Sequence, residues 1–317
     1  MARLRRFSGT PVAEGVRLEV GKYTVFAVRN EKKDIAMRMR REPRGLLRAL
    51  MRIPFLRGVT RLFRDLIRFF DGLSESAELK PQRPVRGTEP EQKLARLLNV
   101  APQSLATLAS AILLVFLGFL CLYAAPKGAE AMLLSTAATR AQTNAAVAFV
   151  RILGLLCAVF LGCRLRVIKR LLMYKGAINQ CINCYECRDE VTNENATQYP
   201  IIARRSESAF LLCVVIVSMI FFSMIHTDSA LVSLASRIGI LLGVSAVLNE
   251  PFAALESAHM SGLVRLVRAP MDALQYMTTL EPHPQMTEVA VCAFRAALED
   301  GAQETEDSES GEGEDEA

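Results

Sequence analysis

Hydrophobic residues along the chain collect into four long runs separated by polar, charge-rich stretches. The runs Leu105–Ala124, Ala145–Val167, Ala209–His226 and Ala230–Leu248 approach the roughly 20 residues that a helix needs to cross a bilayer. The first holds no charge, the second is interrupted by Arg151 and the fourth by Arg237. Thr227-Asp228-Ser229 is a link short enough to make the last two an antiparallel hairpin. Upstream the period changes to two. Val16, Leu18 and Val20 alternate with Arg17 and Glu19, Tyr23 to Val28 is β-branched and aromatic, and Ile35 to Met39 follows a second turn. This predicts a β-meander of two or three strands within residues 1–43, too small to bury a core unless it leans on helices.

Residues 44–79 carry helical periodicity broken at Pro54. Val59, Leu62, Phe63, Leu66, Ile67 and Phe70 form an apolar stripe, and Arg57, Arg61, Arg64 and Arg68 fall along one face. Such a helix fits an in-plane position against anionic lipid headgroups; the alternative is a helix packed on the protein's own core with a solvated arginine face. A Pro- and charge-rich linker spans 80–102, with 103–167 as the first membrane pair, 168–208 as a loop rich in motifs and 209–249 as the second pair. Beyond them, 250–298 reads as an amphipathic stretch to Val267 and a terminal helix from Thr287 to Leu298. The predicted fold class is therefore an α-helical integral membrane protein with four transmembrane helices, a small N-terminal β-meander and cytoplasmic amphipathic helices.

Charge sharpens this picture. The net charge is +5, yet ten acids and no base lie between Glu299 and the end, so the remaining body is ten charges more basic than the whole. The tail 299–317 has the composition of a disordered segment. Bases crowd before the first run and between Arg164 and Arg205, whereas Pro126 to Asn144 holds only Lys127 and Arg140. By the positive-inside rule both termini and the 164–208 loop face the cytoplasm. No apolar stretch follows Arg3, Arg5 and Arg6, so no cleavable signal peptide is expected. The lipid bilayer is the expected partner, with a homo-oligomer or a second membrane protein beside it. Nucleic acid is not expected, because the arginine helix lacks a groove-reading context. Arg151 and Arg237 lie near the outer ends of their spans, placed either to snorkel or to line a polar cavity.

Of the eight cysteines, Cys121, Cys157, Cys163 and Cys213 sit in apolar runs as small hydrophobes. Cys181, Cys184 and Cys187 recur at intervals of three in the central loop. They suggest a thiolate site for zinc, which needs a fourth ligand; without one they simply share a helix face. No cofactor is otherwise expected.

Several blocks resemble, in order, the YqhQ-like family of bacterial multipass membrane proteins of unknown function, described as predicted metal-dependent enzymes. They are Val12 to Val16, Phe26 to Arg29, Pro54 to Gly58, Ser76 to Glu78, Ile182 to Glu186 with Thr192, Glu194 and Asn195, and Leu274 to Pro282. Where the resemblance implies His-Gly-Ala-Glu-His, this chain reads Lys175-Gly176-Ala177-Ile178-Asn179. Where it implies His-Pro-Arg-Cys-Gly-Thr-Ser-Phe, the chain reads Ala203 to Phe210, and Val247 replaces a further carboxylate. His226, His259 and His283 fall outside these blocks. The implied metal site is thus degenerate, which leads to a non-catalytic scaffold or accessory subunit of a membrane assembly. Asn183, Glu186, Glu194 and Asn195 survive, either to bind a partner or to hold the loop's fold. The alternatives are a membrane-embedded metal-dependent enzyme using the cysteine loop, and a small oligomeric transporter built around Arg151 and Arg237.

Overall fold

A computed structural model describes residues 7–21, 23–30, 34–41, 53, 56–79, 116, 118–120, 124–134, 139–225, 229–257 and 261–312. The N-terminal element is an antiparallel sheet in the order β1-β2-β3-β4, comprising β1 (Phe7–Val12), β2 (Gly15–Val20), β3 (Tyr23–Arg29) and β4 (Ile35–Arg41). It has four strands, not two or three. Gly9 and Pro11 hide β1 from the sequence, since neither favours a strand interior; both pair with β2, opposite Leu18 and Val16. Pro11 is tolerated because β1 is an edge strand. The tight link to β2 uses Glu14 in the left-handed region (φ 61°), and its carbonyl accepts from Arg29 N–H at 3.0 Å.

The alternation in β2 sorts its two faces. Val16, Leu18 and Val20, with Val25 and Ala27 of β3, pack against α4 (Arg166–Glu186) and α9 (Pro284–Glu312). Their partners include Tyr174, Ile178, Cys181, Val289 and Phe294, all but fully buried. Phe7 stacks on Phe294 with ring centroids 4.1 Å apart and meets Tyr185 edge-on at 4.8 Å. This is an ordinary water-excluding core, and each large side chain in it contributes about 2 kcal/mol of burial. The opposite face carries Arg17 and Glu19, covered by α1 (Leu56–Leu79).

The remaining helices are α2 (Ala125–Leu134), α3 (Arg140–Gly162), α5 (Asn193–Thr197), α6 (Glu207–Phe222), α7 (Ala230–Ser257) and α8 (Gly262–Met277). Thr139 and Gln142 form a capping box at the start of α3, and Ser206 and Ser261 cap α6 and α8. Pro251 does not end α7, and Pro270 lies inside α8. The terminal helix is longer than its apolar pattern implies, and its backbone runs on to Glu312 in the acidic segment read as disordered.

Among the described residues two helices, not four, are long and apolar enough to cross a membrane: Arg140–Gly162 and Leu231–Glu256. The third run forms the 16-residue α6, short of a full crossing by itself. Most of the first run, the linker 80–102, His226 and His259 lie outside the described residues. Only 17% of the apolar window of α3 and 6% of that of α7 is buried. The core helix of a water-soluble protein would be mostly covered.

Candidate functional site

The helical region is built with its polar groups inside. On α1, Phe63, Leu66 and Ile67 are about half exposed, while Arg61 and Arg68 of the arginine stripe turn inward. Arg57 Nε donates to Glu250 at 2.8 Å, and Arg61 donates to Glu256 at 3.0 Å while its guanidinium lies over the Phe210 ring at 4.5 Å. Arg68 pairs with Glu19 and reaches Glu207 at 3.5 Å, and its carbonyl accepts from Arg17 Nη1 at 2.9 Å. Arg64, a third exposed, pairs with Asp65. Both sequence readings of this helix put the arginines outward. The structure pairs them with carboxylates of the chain and leaves Phe63, Leu66 and Ile67 of the apolar stripe uncovered. Gly58 permits the contact, since a Cβ there would stand 2.2 Å from Ser245 O of α7.

Helix α8 repeats the inversion. Leu263, Leu266, Val267 and Tyr276 are more than half exposed, while Arg268 and Gln275 are buried. Side chains of α4 and α8 hold the segment between α5 and α6 by five successive carbonyls. Asn183 Nδ2 donates to Pro200 O at 2.7 Å and Ile202 O at 2.8 Å, and Asn179 Nδ2 to Ile201 O at 2.8 Å. Gln275 Nε2 donates to Ala203 O and Arg268 Nη2 to Arg204 O, both at 3.1 Å. Side-chain amides and one guanidinium thus replace a backbone ladder.

At the end of this strap lies Lys175. Its ammonium donates to Thr278 O at 3.2 Å, to Thr278 Oγ1 at 3.4 Å and to Ser208 Oγ. Ser206 and Ser208 hydroxyls are 3.1 Å apart. Burial pushes the Lys175 amine down to about 8 against the pull of Glu207. Burial, reinforced by the Glu207 charge, pushes the nearby Asp65 carboxyl up to about 7 against Arg64 and Arg61. Next to the lysine, a Cβ on Gly176 would lie 2.1 Å from Leu280 O, so only glycine lets the 278–282 segment cross α4. The Leu274 to Pro282 block is accordingly the piece that closes the strap and the lysine site.

Positions 175 and 179, read from the resemblance as lost metal ligands, do converge with the 201–208 segment, whereas Val247 is exposed on α7 and does not join them. A divalent cation does not fit what stands there: an ammonium and a side-chain amide that donates rather than ligates. The cysteines are equally unsuited. Cys181 and Cys184 are buried in the core, Cys187 caps α4 and is exposed, and burial pushes the Cys181 thiol up to about 12. Among the described residues no group of three or more His, Cys, Asp or Glu is placed to hold a metal ion.

The surviving loop residues divide. Asn183 is part of the strap, Asn195 Nδ2 donates to Glu190 O at 2.9 Å, and Glu186 and Glu194 are exposed. Arg151 lies within electrostatic reach of Arg237 on α7 and Glu130 on α2, and its Nη1 is buried without a hydrogen-bond partner. Sequence reasoning named Lys175, Ser208, Gln275 and Thr278 only within the blocks of the resemblance and gave them no role, and it missed Arg268.

Fold and site together define a mostly helical protein with a four-stranded N-terminal sheet, in which two helices, α1 and α8, carry apolar side chains outward and charged or polar ones inward. The chain belongs to the family described as Protein of unknown function (DUF1385), whose profile matches residues 53–300. It is 25% identical over 297 residues to the uncharacterized protein YqhQ of Bacillus subtilis (strain 168), covering 92% of each chain. No solved structure matches it.

Proposed function

We propose that this is a multipass protein of a bacterial cytoplasmic membrane, acting as a non-catalytic scaffold or accessory subunit of a membrane assembly. Its spans include Arg140–Gly162 and Leu231–Glu256, and both termini are cytoplasmic. The observation that carries this reading is the inversion of α1 and α8. An apolar face left uncovered while arginines are drawn inward costs free energy in water and lowers it where lipid is the solvent. α1 and α8 then lie in the plane of the inner leaflet beside the spans, with Phe63, Leu66, Leu263 and Leu266 among the acyl chains.

The non-catalytic part rests on how the charges are spent. Arg57, Arg61 and Arg68 answer Glu250, Glu256, Glu19 and Glu207, and the lysine ammonium fills the place the resemblance gives to a metal. Such a layer locks helices together and, among the described residues, offers no group of ligands for a metal ion. The test is extraction and purification of the full chain from its own host. It should stay in the membrane pellet after an alkaline carbonate wash, place a reporter fused at Ala317 in the cytoplasm, and co-purify with a second copy or a partner at fixed stoichiometry. Recovery in the supernatant overturns the membrane reading. Stoichiometric zinc or iron, lost in the C181S/C184S/C187S variant, replaces the scaffold with a metalloenzyme.

A further inference from the structure

The two edges of the sheet are finished differently. β1 is closed: Pro11 has no N–H to offer, and α4 presses so closely that a Cβ on Gly9 would lie 2.4 Å from Ile178 Cγ2. β4 has neither device. Its run Ile35–Arg41 contains no Gly or Pro, and among the described residues no strand pairs with its outer side. Met39 and Met37 stand opposite Val25 and Ala27 and so share the face that packs against α4 and α9, yet they are 37% and 53% exposed. The backbone is open as well. Asn30 N donates to Asp34 O at 2.8 Å, and bonded residues alternate along an antiparallel pair. Ala36 and Arg38 therefore bond to β3, while Ile35, Met37 and Met39 turn their N–H and C=O groups outward. A long open edge with an apolar side is a template for another strand.

We infer that this edge joins two copies of the chain, β4 pairing antiparallel with β4 about a two-fold axis at Met37 to make one continuous sheet with four strands from each copy. In that register Ile35 lies opposite the second copy's Met39, and Met37 opposite its own equivalent. The outward N–H and C=O groups of all three then meet in bonded pairs, and their side chains form one apolar row. On the other face Arg38 lies opposite Ala36 and Arg40 opposite Asp34, in the non-bonded pairs where side chains stand closest. Within its own chain Arg40 stands 3.7 Å from Asp71, an acid shared with Arg17 at 3.3 Å. The second copy's exposed Asp34 gives it an undivided partner. An axis at Arg38 would set Arg38 against Arg38, and one at Met39 would set Arg38 against Arg40, like charges directly opposed. An axis at Ala36 leaves Met39 outside the apolar row. The acidic stretch 303–316 has charge to answer the arginines but no apolar side chain for Met37 and Met39. This rests on the membrane reading above and names the second copy as the partner. There α1 lies in the leaflet with Arg68 on Glu19 of the sheet, so the sheet lies flat beneath the bilayer. An axis perpendicular to it then runs along the membrane normal, as two copies in one bilayer require.

The test uses the full chain in isolated membranes of its own host, and then in detergent. The D34C/R40C variant, oxidised with copper phenanthroline, should migrate as a covalent dimer. D34C alone, R40C alone and the parent with its native cysteines should not, because Asp34 lies opposite Arg40 and far from its own equivalent. Native mass spectrometry of the parent should give a dimer. M37K sets like charges on the axis, and M37P removes only an outward N–H. Each should weaken the dimer by about tenfold or more, with thermal scans confirming that both still fold. A monomeric parent, or a dimer that survives both variants while D34C/R40C stays unlinked, overturns the proposal. A link in R38C alone moves the axis and overturns the register together with its charge pairing. A link from R40C to a protein of different mass overturns it in favour of a foreign strand. A chain washed off by alkaline carbonate fails the membrane reading itself, whereas a membrane-bound chain that stays monomeric fails only this proposal.

Discussion

The sheet with α4 and α9 and the group α1, α6, α7 and α8 are folded by opposite rules within one chain. In the first, Val16, Leu18, Phe294 and Ile178 point inward, and charged groups such as Glu288 ride outside. In the second, Arg61, Arg68 and Arg268 point inward, and Phe63, Leu66, Leu263 and Leu266 ride outside. The hydrophobic effect needs water on one side, so a helix that shows its apolar face to the surroundings reports the surroundings, not an error of folding. On the membrane reading proposed above, polar groups turned away from lipid must satisfy one another, as the arginine–carboxylate layer and the carbonyl strap do. The two regions meet at Arg17, a strand residue 2% exposed, which pairs with Asp71 of α1 at 3.3 Å.

The largest effect that separates the regions comes from removing the same side chain in each. Phe294→Ala opens a cavity in the sheet core and should destabilise by about 3–5 kcal/mol. Phe63→Ala removes a half-exposed ring, which faces lipid or detergent on the membrane reading, and should stay within about 0.5 kcal/mol. Thermal and denaturant unfolding of the purified chain in micelles reads both. Equal losses would mean that Phe63 is covered by protein and the two regions obey one rule.

Next in size is the inward arginine layer. Arg68→Leu leaves Glu19 and Glu207 buried with fewer partners and should cost about 2–3 kcal/mol. On a helix with a solvated arginine face the same change would be close to neutral. A cycle with Glu207→Gln should recover part of the loss, and a cost below the scatter of replicate unfolding curves would return Arg68 to the surface.

Why the sequence foretold one region better than the other follows from what periodicity encodes. It shows that Val16, Leu18 and Val20 share a face and that Arg57, Arg61, Arg64 and Arg68 share another, but not which side of a helix meets the solvent. In the sheet core that ambiguity is harmless, because water is the solvent and apolar goes inside. In α1 it reverses the answer. Partners across the layer are also remote: Arg57 and Glu250 stand 193 positions apart, Arg61 and Glu256 195. A single chain's local pattern carries no trace of such pairing. The strap was invisible for a related reason, since Asn183 and Gln275 act on backbone carbonyls, which every residue has. Strand β1 and the passage of α7 through Pro251 were obscured by Gly and Pro, whose local penalties are overridden by pairing and packing.

The smallest effect is also the most specific to the inner layer. Asp65 is held by burial, with the Glu207 charge adding, at about 7 rather than near 4. An unfolded chain releases this proton near pH 4, whereas the folded chain keeps it to neutrality, so over that window the folded state binds more protons and stability falls as pH rises. The loss is complete above pH 7. Asp65→Asn cannot ionise and keeps the side chain's shape, so it should match the parent near pH 4 and exceed it above pH 7, by about 2–4 °C in apparent Tm. The parent's midpoint in micelles should therefore drift down between pH 5 and 8 while the variant's drifts less. Lys175 cannot produce that signal, because its depressed amine acts with the opposite sign and only above about pH 8. A variant that follows the parent throughout would mean that water reaches Asp65. The layer between α1 and the spans would then be a wetted surface, and the contrast with the sheet core would be one of degree.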